Sequence, residues 1–496
     1  MTERETPPGF LRLFIAVALV NLLGAMDISI VATALPVVVG EFHQTQNMSW
    51  VIVGYSLAVA LLVPVYGKLA DKYGASRLFA WAIGVFLAAS MACGLATNFW
   101  MLTVARIIQG FGGGGLGLLP LAIISEILPE RLRPKYLAPL AAVWTIAGIG
   151  GPVLGGILTD TVGWRWIFFI NVPLGILALI LAAGALPKHP QRHKDKLFDF
   201  ETYFFFAVAA VLIVLAMHGY ATSIGTGVDQ STLVLALGAS VALGLFVWRT
   251  LKADNPVIPL RILANRGAIT MLALGTIAAV NLFAITGFVP SVLQMGFNVN
   301  ASLAGLGLMP MVLTMVATSI WSGRRISKTG HWRHLPIIGS VICLAGMLLA
   351  YFFTDAWGGW LIVLALALAA VGLGLMGQLT LTLVQAFSKA KVFGAVTASV
   401  NVSRDLTGTV VSTLAGGFFG IRVVEALTKI SLPAGVSPQA VKPAELSAMD
   451  AVTHLAVNHA YIEAFRPTFL NSAVAYGLVL ILAFTLPKLD LKVTHS

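Results

Sequence analysis

Apolar positions run through this chain in long blocks separated by short polar joints. Blocks near the roughly 20 residues that cross a bilayer as a helix recur from end to end. They fall at residues 12–39, 50–67, 78–96, 99–122, 136–158, 167–186, 202–219, 231–248, 268–290, 302–322, 335–353, 358–384, 394–420 and 468–487. The pattern predicts an all-α integral membrane protein with fourteen transmembrane helices. The joint 421–467 is the one long loop, and "IRVVEALTKI" and "MDAVTHLAVNHAYIEAF" within it have helical periodicity.

Composition agrees: 58% of residues are hydrophobic and 10% charged, with a mean hydropathy of +0.91. The first block is too long for a signal-peptide core and holds Asp27 and Pro36, so it reads as a first span. The two cysteines, Cys93 and Cys343, both fall in apolar blocks, which argues against a disulfide framework or thiolate metal site.

The net charge of +11 is distributed by side. With a cytosolic N-terminus, twenty-four Lys and Arg fall on the inside and five outside, while Arg106 and Arg404 lie within spans. This is the positive-inside asymmetry. It predicts cytosolic termini and requires no nucleic-acid partner. The partner this asymmetry implies is the lipid bilayer. A monomer is the simplest expectation.

A short motif repeats. "GKLADKYGASR" (67–77) follows the second span, and "GRRISKTGHWR" (323–333) follows 256 residues later with Gly, Lys, Gly and Arg at identical spacing. Two structural halves are implied. The repeat assigns residues 1–186 to an N-terminal six-helix bundle and 267–496 to a C-terminal one. Residues 187–266 form a basic linker and an inserted two-helix hairpin. Gly67 and Gly74 permit a tight reversal, and Asp71 can pair with Lys72 or Arg77.

Ionisable groups inside the spans are few: Asp27, Arg106, Arg404 and Asp405. A carboxylate at mid-membrane costs about 2.5–3.5 kcal/mol on insertion scales, so Asp27 is the leading functional candidate. Burial opposes its charge while a nearby arginine favours it, which makes proton occupancy depend on access. The competing reading is a fixed Asp27–Arg106 ion pair. Arg404 and Asp405 are secondary candidates. Asn21, Gln109, Trp144, Asn281, Phe283, Gln294 and Gln378 could line a cavity. In "GIGGPVLGG", Gly148, Gly151, Gly155 and Gly156 let a neighbouring helix approach and Pro152 can kink the span, suiting an interface that rocks. Asp450 with His454 and His459 with Glu463 have i,i+4 spacing, more in keeping with a solvated helix face than a metal site.

Several of these motifs resemble the major facilitator superfamily, specifically its fourteen-span drug:proton antiporters. "GKLADKYGASR" is similar to the superfamily's loop between spans two and three. "LTVARIIQGFGGG" (102–114) resembles its fourth-span motif, with Arg106, Gln109 and Gly110 in place. "GIGGPVLGG" resembles the fifth-span antiporter signature, "MDISIVATALP" (26–36) the first-span acid motif, and "GWRWIFFINVPLG" (163–175) the junction of spans five and six. The resemblance implies two six-helix bundles plus two inserted helices, alternating access, residence in a bacterial plasma membrane, and proton-coupled export of hydrophobic, cationic drugs or dyes. Export of a specific lipid, siderophore or metabolite fits the same scaffold. A non-transporting receptor or scaffold is the alternative of another class. No GxxxxGK[ST] or HExxH motif supports an enzyme, and no cofactor is expected.

Overall fold

The computed structural model describes residues 9–128, 133–186, 199–223, 227–253, 266–329, 331–354, 359–386, 393–433, 436–439, 441–446 and 449–486. The helices in order are α1 (Phe10–Glu41), α2 (Ser49–Tyr73), α3 (Ala75–Gly94), α4 (Phe99–Ile127), α5 (Arg133–Thr161), α6 (Trp166–Phe169), α7 (Asn171–Ala182), α8 (Phe200–Thr222) and α9 (Gln230–Lys252). They continue with α10 (Arg266–Thr286), α11 (Val289–Phe297), α12 (Ala301–Leu306), α13 (Met309–Thr329), α14 (His334–Phe352), α15 (Trp360–Ala386), α16 (Phe393–Leu427), α17 (Pro443–Leu446) and α18 (Ala451–Phe484). Among the described residues, eleven helices are long and apolar enough to cross a membrane.

Two expectations shift at the boundaries. The blocks at 268–290 and 302–322 become four helical pieces, α10 to α13, because Pro290, Asn298 and Pro310 punctuate the run. Asn298 ends α11 with φ 54°, the left-handed conformation asparagine tolerates. The helical periodicity read in 421–467 is realised as extensions of the flanking helices: α16 continues to Leu427, and Asp450 caps α18 by accepting from the Val452 and Thr453 N–H groups. With 34 residues, α18 is about 51 Å long, against a hydrocarbon core of about 30 Å.

The chain divides into two compact units. Unit 1 comprises residues 1–42, 50–198 and 300–305; unit 2 comprises 43–49, 199–299 and 306–496. In unit 1, α1 pairs with α5 and α3 with α4. Asn21 donates to the Leu140 carbonyl at 2.9 Å and Ser29 to the Ala147 carbonyl at 3.1 Å. Both chains advance together between these bonds, so α1 and α5 run parallel. The glycine run of α4 explains why three helices meet closely. Gly112 and Gly115 abut Phe86 and Ala82 of α3, whereas Gly113 and Gly114 abut Tyr55 and Leu62 of α2. A helix with side chains at these positions would stand further off.

In unit 2, α8 and α9 form a hairpin that leans on α16 through α8. Thr232 fills the space left by Gly219, Phe206 packs on Phe246, and Glu201 pairs with Arg249. The α9 surface away from α8 is apolar and exposed, with Leu233, Val234, Leu237 and Val241 more than half accessible, as expected of a lipid-facing helix. An aromatic stack of Phe288, Phe419, Phe465 and Phe469 binds α11, α16 and α18.

Candidate functional site: a buried ion pair at the centre of unit 1

Asp27 sits midway along α1, Arg106 about a quarter of the way along α4, and both are 1% exposed. The guanidinium Nη1 of Arg106 donates to Asp27 Oδ2 at 2.5 Å. Gln109 lies one turn after Arg106 on the same α4 face and bridges the pair. Its Nε2 donates to Asp27 Oδ1 at 2.8 Å while its Oε1 accepts from Arg106 Nη1 at 2.7 Å. Asn171, the first residue of α7, adds a longer contact from Nδ2 to Asp27 Oδ1 at 3.5 Å. Ser90 of α3 accepts from both amides, at 2.8 Å from Gln109 and 3.4 Å from Asn171.

Each of these polar contacts to Asp27 comes from a donor, the pattern of a carboxylate rather than a carboxylic acid. Removing either charge from water costs several kcal/mol, and attraction in a low dielectric repays this only if the remaining donors and acceptors are satisfied. Here they are. Arg106 keeps two further acceptors, Gln109 Oε1 and, through Nε at 3.1 Å, the Val51 carbonyl of α2. Its guanidinium also lies 4.2 Å from the Tyr55 ring centroid and 5.7 Å from that of Phe168. Helices α1, α2, α3, α4, α6 and α7 thus converge on one buried network.

The structure distributes the other sequence-predicted residues more widely. Asn21 holds the α5 backbone. Gln294 is buried on α11 in unit 2. Arg404 and Asp405 pair with each other at 3.1 Å on a partly exposed stretch of α16. Gly67 and Gly74 lie near the end of α2, and Gly74 has φ 87°, the reversal glycine permits; Arg77 is exposed on α3. The side chains of Trp144, Asn281, Phe283, Gln378 and Asp71 lie outside the described residues.

The α5 glycines do not serve one face. A Cβ on Gly155 would fall 2.5 Å from Thr33 Oγ1 and 2.8 Å from Ile30 Cγ1, and Gly151 likewise faces Ser29, so both set the α1 contact. Gly156 and Pro152 meet the stretch of chain at 300–305 instead: a Cβ on Gly156 would lie 2.6 Å from Ser302 Cα, and one on Gly305 2.6 Å from the Pro152 carbonyl carbon. Gly148 is half-buried.

Sequence reasoning missed Ser90, Asn171, Tyr55 and Phe168. Asn171 carried a signal, being an amide within the apolar block 167–186. Ser90 carried none, since a small hydroxyl in a span usually bonds its own helix. A further cluster joins Glu41 at the end of α1 to Trp164 Nε1 at 2.7 Å and Arg165 Nη2 at 2.7 Å.

The described residues define an all-helical membrane protein with a buried, hydrogen-bonded ion pair, and comparison with known proteins specifies its class. The family model of the Major Facilitator Superfamily matches residues 17–412. An uncharacterised transporter of this type from Mycobacterium tuberculosis is 30% identical over 490 residues, 98% of this chain and 70% of that protein. The multidrug transporter protein MdtP of Bacillus subtilis is 32% identical over 416 residues, 82% of this chain and 75% of its own. Among solved structures, a bacterial homolog of the human lysosomal transporter Spinster superposes with a TM-score of 0.64 at 15% identity, covering 97% of both chains. A D-xylose-proton symporter superposes with 0.62 at 13% identity, covering 97% of this chain and 99% of that one. The chain belongs to the major facilitator superfamily. It is a membrane transporter and not an enzyme.

Proposed function

We propose that the protein is a fourteen-span antiporter that exports hydrophobic, cationic compounds in exchange for protons, with Asp27 as the proton-binding group. The observation carrying this reading is the network around Asp27, which accommodates either charge state of the acid. When Asp27 is ionised, Arg106 neutralises it. When it takes a proton, Arg106 retains Gln109 Oε1, the Val51 carbonyl and the Tyr55 face, so its charge is not stranded. Gln109 Nε2 and Asn171 Nδ2 can still donate to the carbonyl oxygen of the neutral acid.

At 1% exposure Asp27 cannot exchange a proton or meet a substrate in the present state, so coupling requires another state in which water reaches it. A cation entering that opened site would compete with the proton for the carboxylate. Several relatives are named multidrug or efflux transporters, among them MdtP and a multidrug resistance protein B homolog of Mycobacterium tuberculosis. These names support export as the direction.

Fourteen spans follow if α5 and the two shorter apolar helices, 166–182 and 269–278, join the eleven long ones. Fourteen alternating spans would bring both termini to the same side, and the distribution of basic residues favours the cytosolic side of a bacterial plasma membrane. Exposed Trp81, Trp100, Trp166, Trp248, Trp321 and Trp360 lie toward helix ends, where the membrane–water interfaces would fall, which fits these helices as spans.

The test is dye efflux from proteoliposomes under an imposed pH gradient. Wild type should accumulate or expel an ethidium-like cation according to the gradient's sign. Asp27→Asn should lose gradient-driven transport while keeping downhill exchange. Gradient-driven transport by Asp27→Asn at the wild-type rate would remove Asp27 from the coupling role.

A further inference from the structure

Residues 300–305 pack with unit 1, although the chain immediately before and after them belongs to unit 2. This short strap lies along one row of α5. Pro152, Gly156 and Asp160 are spaced four apart and therefore share a face; they meet Gly305, Ala301 and Ser302 in that order. Two of the three contacts are backbone against backbone, with glycine on one side.

The third contact is polar. Asp160 Oδ2 accepts from the Ser302 N–H at 2.8 Å and the Ser302 hydroxyl at 2.6 Å, and Oδ1 accepts from the Ala301 N–H at 3.3 Å. The Leu303 N–H goes to Asn300 Oδ1 at 2.8 Å. The first three N–H groups of α12 are thereby satisfied, two of them by a carboxylate on another helix.

We propose that Asp160 is a positioning residue for transport, a latch whose hydrogen bonds hold the 300–305 strap on α5 and whose release is a required step of the cycle. This rests on the transporter reading but not on proton coupling or on the substrate. The contact is suited to repeated making and breaking. It seals by backbone apposition, so separation disturbs few side chains. Its one charged group is exposed, so water can take over the three hydrogen bonds when the strap lifts.

The test uses the full chain in liposomes and a substrate-free readout. Ala304 is 0% exposed and the native cysteines Cys93 and Cys343 are buried, so an Ala304→Cys variant reports strap lifting through maleimide labelling. Adding Asp160→Ala should raise the labelling rate about 5- to 30-fold, the range set by loss of one side-chain cap. Asp160→Glu should restore part of the protection. Separately, an oxidised Asp160→Cys/Ser302→Cys pair should stop transport, and reductant should restore it. An unchanged labelling rate in Asp160→Ala, or full transport by the oxidised pair, would overturn the proposal. Loss of pH-gradient coupling with normal labelling ratios would count against the proton reading alone.

Discussion

Replacing Gly155 with alanine tests how closely α1 and α5 must pack. The added Cβ would sit 2.5 Å from Thr33 Oγ1, 2.8 Å from Ile30 Cγ1 and nearer still to the Ile30 carbonyl oxygen. The backbone oxygen cannot rotate away, so α5 must retreat by about 1 Å to reach an ordinary contact near 3.4 Å. That retreat stretches the bonds from Asn21 to the Leu140 carbonyl and from Ser29 to the Ala147 carbonyl beyond hydrogen-bonding range. Overpacking costs about 1–3 kcal/mol and each lost hydrogen bond about 1, giving roughly 3–5 kcal/mol in all. Gly150, where an added Cβ would meet nothing within 4 Å, is the internal control. There the same change should be neutral or stabilising by up to about 1 kcal/mol through helix propensity. Thermal unfolding in detergent, followed by thiol reactivity of the buried cysteines, should therefore separate the two variants clearly. Equal melting of Gly155→Ala and Gly150→Ala would refute close α1–α5 packing.

Three further outcomes follow from the geometry. Asp27→Asn, which leaves Arg106 with Gln109 Oε1, the Val51 carbonyl and the Tyr55 face, should destabilise by about 1–2 kcal/mol, whereas Arg106→Gln strands the Asp27 carboxylate and should cost about 3–5 kcal/mol; the double variant should cost less than their sum, and additive melting shifts would disprove the pairing. Ser90→Ala, which leaves the Gln109 and Asn171 amides without their shared acceptor, should slow dye transport without abolishing it, and an unaltered rate would place Ser90 outside the network. The Thr453 hydroxyl and N–H hold the Asp450 carboxyl below the usual carboxylate range. Its capping contribution is therefore present above the unfolded value of about 4 and is lost as pH falls through the lower native value. Hydrogen exchange at residues 451–457 should be faster in Asp450→Ala than in wild type at pH 7 and equal at strongly acid pH; a difference that persists unchanged in acid would contradict the cap.

Much of this arrangement was legible in the chain because the membrane imposes it. The apolar blocks had to be helices, since no other open structure satisfies its backbone in lipid. Asp27 and Arg106 stood out for the same reason: each is costly alone in hydrocarbon, so their meeting could be anticipated. Gln109 was visible as a polar residue one turn from Arg106. The rest depended on distances between helices that no local pattern encodes. Asn171 is an ordinary amide until α7 brings it to α1, and Ser90 is a hydroxyl like any other until two amides converge on it. The fifth-span glycines were readable as close-approach positions but not as serving two neighbours, because that depends on where the 300–305 strap lies. Asp160 lies just beyond the fifth apolar block, and nothing in the local sequence singles it out. Only its three bonds to the strap give it a role.

The most direct test of the central claim is proton release from the purified protein in weakly buffered detergent solution on addition of a cationic dye, comparing wild type with Asp27→Asn. Wild type should release protons as dye binds, and Asp27→Asn should bind dye without release. Equal release from both, or dye binding by wild type with none, would mean that the carboxylate in "GAMDISIV" is held by Arg106 for structure and that the proton is carried elsewhere.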